Sequence, residues 1–373
     1  MRNPLIPGVG LVLAILLLVL PVGVAARADV YPASCDNMIN PVQDLDATVN
    51  ADPVGTATTF CVTSGTHTVS DTVILRAGDH ITGPVGNQLS VGPATYGRPT
   101  AKLVGDTTPQ VLRASGSDVT IEWLEVTGAD GQTDALGEPV TGTGSGIAMG
   151  QSDGTALVQY VYVHDNDANG IANANGRIKN SHFTSNTLNA AFLGWNGTGV
   201  IGVSEFEASY NYVHNEQGNG LYFTNSTSTE GNVPEMASNP NGGAWFRSNV
   251  SVNNGRWGLR YEVTPLDAAD GEHISTPTFQ ASNNRVAGNG NGGASQADAQ
   301  NGKWISNTFG AQTIGGVNYP GNGNTRAIVF RDSGRIDRPD LWNAVAKNNV
   351  LNGDTMPHCD LPDEIVACSG NKR

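Results

Sequence analysis

The chain has 373 residues, with 34 acidic side chains against 20 basic ones and a formal net charge of −14. That balance argues against nucleic acid or an anionic membrane surface as the main partner, because both require clustered Lys and Arg. With 47 Gly and 37 Asn, helical bundles are disfavoured, yet 38% hydrophobic residues suffice for a sizeable core.

Arg2 precedes an apolar run over residues 11–20, and Ala26-Arg27-Ala28 places small residues where a signal peptidase reads. Pro21 and Gly23 interrupt the run, which is short for a membrane span. Residues 1–28 therefore read as a secretory signal, with a mature, extracellular chain starting at Asp29 and no stable membrane insertion after cleavage. Four cysteines fit that compartment: Cys35 and Cys61 near the mature N-terminus, Cys359 and Cys368 near the C-terminus. An even count in an exported chain points to disulfides. Three pairings are possible, and the local ones, Cys35–Cys61 and Cys359–Cys368, would staple each end separately. Without a Cys-x-x-Cys pair, a metal role for these cysteines is weak.

Residues 29–54 form an N-terminal segment in which residues 41–49 read as a short amphipathic cap helix. From there to residue 350 the chain repeats itself imperfectly. Val158 to Asn166, followed by Asn169-Gly170-Ile171, has the same plan as Ile178 to Asn186, Phe206 to Asn215 with Gly220-Leu221, and Phe246 to Asn254 with Gly258-Leu259. More degraded copies run over 279–289, 304–309 and 346–350. Each unit is a strand, an Asn turn, a second strand, another Asn or Gly turn and a third strand, recurring roughly every 20 to 40 residues. A single unit cannot cover its own apolar face. Stacking the units pairs every strand with its neighbour and buries one continuous core. Asn at equivalent turns can adopt the left-handed backbone and hydrogen-bond to the Asn above and below. This is a parallel β-solenoid; a β-sandwich would need two-residue hairpin signals, which are scarce here. Residues 351–373, polar and carrying Cys359 and Cys368, read as a C-terminal cap or tail.

These repeats, with Phe60-Cys61-Val62-x-x-Gly65-x-His67 and the stretch from Val73 and Leu75 through Gly78-Asp79-x-Ile81-x-Gly83, resemble secreted bacterial right-handed parallel β-helix proteins of the pectate-lyase-like fold. The resemblance covers residues 55 to 355 and implies an all-β, single-stranded right-handed parallel β-helix. It says little about reaction, because this fold hosts lyases, hydrolases, esterases, epimerases and non-enzymatic adhesins.

Setting the apolar residue after each Asn-Gly turn inward gives one interior stack: Ile147, Ile171, Ala191, Leu221, Leu259, Ala294 and Ile328. The outward row beside it is Ala148, Ala172, Phe192, Tyr222, Arg260, Ser295 and Val329. Two residues on lies the row Gly150, Ala174, Gly194, Thr224, Glu262, Ala297 and Arg331. Aromatic faces can stack sugar rings and Arg can hold carboxylates, so Phe192, Tyr222, Trp257, Arg256 and Arg331 read as substrate-binding residues. Insertions over 130–146, 224–244 and 263–277 would wall this face. A uronate lyase needs a neutralising cation and a base, for which Arg260 or Arg256 are candidates. A glycoside hydrolase needs two carboxylates, for which Glu262 pairs with Glu216 or with Glu230, Glu235, Asp267, Asp270 or Glu272.

Three further signals point elsewhere. Arg177-Ile178-Lys179 matches a short polygalacturonase motif, but that family's paired-Asp and Gly-His-Gly motifs are absent. Asp165-x-Asp167-x-Asn169-Gly170 resembles the start of a calcium loop, yet its twelfth position is Gly176 and it reads as a solenoid turn. His164, His182 and His214 recur beside the turns, but their phase differs between repeats, so they read as ordinary strand positions. The expectation is a secreted monomer that binds and cleaves an extracellular polysaccharide by lyase or hydrolase chemistry, with calcium as the one cofactor to consider. The alternative is a non-catalytic adhesive or structural solenoid.

Overall fold

The computed structural model describes residues 29–86, 98–133, 143–149, 156–172, 176–196, 205–226, 243–264, 278–297, 302–331, 344–356 and 366–372. One coil illustrates how the sequence makes the fold. Ala156–Gln159 alternates, burying Ala156 and Val158. The chain turns at Tyr160, runs as Tyr162–His164 with Val163 inside, turns at Asp165, and reaches Ile171–Ala172. Ala156 then pairs in parallel with Gly176, so this coil takes 20 residues, whereas the coil from Gly243 to its partner Thr278 takes 35. The difference falls between the third strand of one coil and the first of the next.

Repetition of this unit builds three parallel sheets of twelve, nine and nine strands, which we number first, second and third by the order of their strands within a coil. The third sheet reproduces the expected register: Ile147, Ile171, Ala191, Leu221, Leu259, Ala294 and Ile328 are consecutive partners and fully buried. The core fills with Val, Ile and Leu in the early coils and with rings later, where Phe223, Tyr261 and Phe279 stack in sequence and Trp304 packs tilted against Phe279.

Asparagine columns run along both turns. Between the first and second sheets, Asn211, Asn249, Asn284, Asn307, Asn349 and Asn371 form a continuous chain in which each Nδ2 donates to the next Oδ1 at 2.9–3.1 Å. Between the second and third sheets the column is Asn166, Asn186, Glu216, Asn254, Asn289, Asn322 and Asp354. The left-handed residue is the one before the laddered Asn: Tyr210, Ser248, Asn283, Ser306 and Asn348 have φ between 54° and 57°, and Tyr160 and Asn180, at the equivalent turns before Val161 and Ser181, have 54° and 49°. The expectation that one Asn does both jobs is thus corrected. A left-handed backbone costs a non-Gly residue roughly 1–2 kcal/mol, and the next residue's amide offsets that by satisfying buried backbone groups.

At the N-terminal end Asn37–Ile39 pairs with Phe60–Val62, and Cys35 is disulfide-bonded to Cys61. The helix Leu45–Asn50, N-capped by Asp44, buries Leu45 and Val49 over the first coils. At the other end Val366–Ser369 adds a strand beside Ala344–Lys347, so residues 366–372 continue the solenoid. Cys368 is disulfide-bonded; Cys359 lies outside the described residues, as does the expected signal segment. An antiparallel hairpin, Gln312–Ile314 with Val317–Tyr319, folds onto the outside of the second sheet, where Ile314 and Tyr319 pack with Tyr212, Val250, Val252 and Ala287.

Candidate functional site

Parity along the third-sheet strands turns Phe192, Tyr222 and Arg260 outward on three successive coils, each the register partner of the next. Their rings and charges meet. Phe192 packs edge-on to Tyr222 with centroids 5.0 Å apart, and the Arg260 guanidinium lies 4.5 Å from the Tyr222 ring centre. Glu262, two residues beyond Arg260, accepts on one carboxylate oxygen from the Tyr222 hydroxyl at 2.5 Å and from Arg260 Nη2. The Arg260 and Glu262 side chains keep 18% and 17% of their surface, so the group is recessed but open to solvent. Arg260 Nε is buried with no hydrogen-bond partner. On either side the row is closed, since Ala148, Ala172, Ser295 and Val329 are all buried.

Other expected site residues fall elsewhere. Glu216 is a correction: it occupies an Asn position in the second column, 2% exposed, where it accepts from Asn186 N and Nδ2 at 2.8 and 3.2 Å. Burial pushes its pKa well above the usual carboxylate range, against the pull of the Asn186 bonds. It cannot partner Glu262. Trp257 is also corrected, being buried against Gly292, with no face free for a sugar. Arg256 is exposed at a turn, one position before the third-sheet strand begins. The backbone of Arg331 pairs with Ala297, itself the partner of Glu262, two coils beyond it. Glu230, Glu235, Asp267, Asp270, Glu272 and the walls expected over 227–242 and 265–277 lie outside the described residues. Glu262 is thus the one carboxylate of this row among the described residues.

The histidines form a second cluster that the phase argument missed. On the outer face of the second sheet Tyr162, His182 and Tyr212 are register partners, as are His164, Thr184 and His214. His182 Nε2 meets His214 Nε2 at 2.7 Å, a diagonal contact between neighbouring coils. Tyr162 stacks on His164 and Tyr212 on His214, and His182 packs between the two tyrosine rings. Arg98 covers Tyr162, with its guanidinium 4.7 Å from the ring centre. His164 bonds Glu125, which also holds Lys102 at 3.0 Å. Burial holds His182 down to about 2, helped by the nearby His214, Arg98 and His164, and holds His214 down to about 4. The signal that could have found them is the identical Tyr-Val-His at 162–164 and 212–214, two coils apart. Among the described residues no three His, Cys, Asp or Glu side chains converge as a metal cage, and no helix is long and apolar enough to cross a membrane.

No family model and no curated protein matches the chain. Among solved structures it is similar to the A-module of the Azotobacter vinelandii mannuronan C-5 epimerase AlgE6, with 15% identity and a TM-score of 0.50 over 89% of this chain and 96% of that one. The A-module of AlgE4 from the same organism follows, at 12% identity, TM-score 0.43 and coverages of 89% and 92%. The pectate lyase Pel9A matches at 12% identity and TM-score 0.46, covering 85% and 80%. At these identities the likeness is one of fold: a right-handed parallel β-helix.

Proposed function

We propose that this is a secreted protein that binds an extracellular polysaccharide along the outer face of the third sheet and cleaves it by lyase-type chemistry. The observation that carries the reading is the contact set of Phe192, Tyr222, Arg260 and Glu262, an aromatic platform running into a cation and a carboxylate. Phe192 presents a surface for a sugar ring. The partly exposed Arg260 guanidinium suits a uronate carboxylate, whose neutralisation acidifies the neighbouring ring proton. Removal of that proton, with departure of the glycosidic oxygen, gives an unsaturated sugar and consumes no water. Glu262 stands as the base and the Tyr222 hydroxyl as its proton partner. A lyase is the reading taken because, among the described residues, Glu262 has no second carboxylate beside it: Glu216, one of its candidate counterparts, is interior. The fold-level neighbours that act on mannuronan and pectate supply context for a polysaccharide partner, and the Cys35–Cys61 disulfide suits an oxidising compartment.

Uronate and neutral glycans, assayed for binding and for unsaturated or reducing ends with and without calcium, test the reading. Arg260→Lys and Glu262→Gln should each lower turnover about a hundredfold or more, with circular dichroism unchanged. Absence of both binding and cleavage across the panel would overturn it. Binding without any cleavage would instead identify a non-catalytic solenoid, and turnover unaffected by both variants would remove Arg260 and Glu262 from the chemistry.

A further inference from the structure

We infer that the outer face of the first sheet is a second, non-catalytic binding surface, which takes a carboxylated polysaccharide laid along the stack of coils. It lies on a different sheet from Phe192, Tyr222, Arg260 and Glu262, and it stands whether or not that row performs chemistry.

The cations of this acidic chain are unevenly placed. Alternation buries Ile178, Phe246, Trp304 and Ala346 in the first sheet and turns their strand neighbours outward. One outward row runs Arg177, Glu207, Trp245, Gln280 and Lys303 in register. The row beside it carries Lys179, Arg247 and Lys347. Among the described side chains of these rows, five cations thus stand against one carboxylate, in a chain whose formal net charge is −14. Three of the chain's five lysines are here, and none lies on a strand of the third sheet.

Glu207 does not cancel the strip. Its two oxygens lie 3.1 Å from Lys179 Nζ and 4.0 Å from Arg247 Nη1, so one charge is shared by two cations. Lys303 and Lys347 are exposed, and neither pairs with a carboxylate among the described residues. Trp245 is partly exposed, with the Arg247 guanidinium 5.2 Å from its ring centre. At the corner of the preceding coil Tyr210 is 53% exposed.

Shape and charge select the partner. With strands about 4.8 Å apart, the coils of Arg177 and Lys347 are about 24 Å apart, so the strip is long and narrow. A slender polyanion can follow it, whereas a flat anionic bilayer would press on the acidic remainder of the surface. Nucleic-acid strands are held by repeated base stacking along a basic groove, and aromatic surface here is confined to two neighbouring coils. A uronate polymer matches both elements: its rings pack on Trp245 and its carboxylates meet Arg and Lys.

The test uses the untagged full chain and polygalacturonate activated as its N-hydroxysuccinimide ester, which acylates lysine amines held against the polymer. Peptide mapping compares each lysine with its labelling by a small acetyl ester, which reports exposure alone. We expect the polymer to favour Lys303 and Lys347 over Lys102 and Lys372. In an Arg260→Ala background, which removes the third-sheet cation, Lys303→Glu/Lys347→Glu should weaken polygalacturonate binding about tenfold in affinity electrophoresis at low salt. A polymer pattern equal to that of the acetyl ester would overturn the inference, as would an affinity that survives the double reversal. So would a single-stranded oligonucleotide or a phosphatidylglycerol vesicle that binds this face while polygalacturonate does not. Should the variants misfold by circular dichroism, the wild-type labelling pattern decides it. Because the third sheet has no lysine to label, failure of the cleavage reading leaves this result unchanged.

Discussion

Glu216 sits where six coils out of seven in its column carry Asn or its acid, and it is the longest side chain there. Because its folded pKa is raised, the folded chain holds a proton that the unfolded chain releases above the ordinary Glu range near 4.3. Stability from this residue is therefore greatest below that pH and declines as pH rises towards the folded pKa, by up to about 1.4 kcal/mol per pH unit. Glu216→Gln keeps one of the two acceptors for Asn186 and removes the titration. Its melting temperature should exceed that of the wild type at pH 8 and approach it at pH 4, as followed by thermal unfolding; parallel profiles would contradict a protonated Glu216. How legible such residues are in sequence depends on parity. Phe192, Tyr222, Arg260 and Glu262 can be placed because side chains alternate from a recognisable Asn-Gly turn. Glu216 misleads because a carboxylate beside His214 and Asn215 looks catalytic until its column is counted against Asn186 and Asn254. The histidines mislead for the opposite reason: residues out of phase along the chain still touch diagonally across adjacent strands.

At the scale of the element, the columns decide which turns are tolerated. Asn249 donates to Ala208 O and to Asn284, and accepts from both the backbone and the side chain of Asn211. Asn249→Ala leaves those Asn211 donors buried and unpaired, so we expect a loss of about 3 kcal/mol, read from urea unfolding. Ser248 and Tyr210, left-handed and just before the ladder residues, carry no such signature in their side chains, which is why turn geometry is hard to assign from composition alone. The hairpin 312–319 is likewise hidden, since its Gly315-Gly316 turn sits among degraded repeats and reads as one more insertion.

For the whole molecule, a stack of coils has two exposed ends. The fold itself is plain in the spacing of Asn and apolar residues, because every coil solves the same burial problem and repetition amplifies a weak local signal. The ends are harder, since each is unique. Residues 29–50 supply one extra strand, the helix that buries Leu45 and Val49, and the cysteine joined to Cys61. Removing them bares the paired edge of Phe60–Val62 and the apolar top of the core, so the truncated chain should aggregate in size-exclusion chromatography. A soluble, folded truncation would show that later coils close themselves.

The second column has a direction. From Asn254 onwards each amide nitrogen faces the following coil and each oxygen the preceding one, so small dipoles add along the axis as peptide dipoles do in a helix. Its positive pole is met by Asp354, which receives Asn322 Nδ2 at 2.6 Å and has no amide proton to pass on. The carboxylate is thus a terminator, both electrostatic counterweight and stop signal, and it makes this turn a one-way lattice that cannot template another turn of the same kind beyond it.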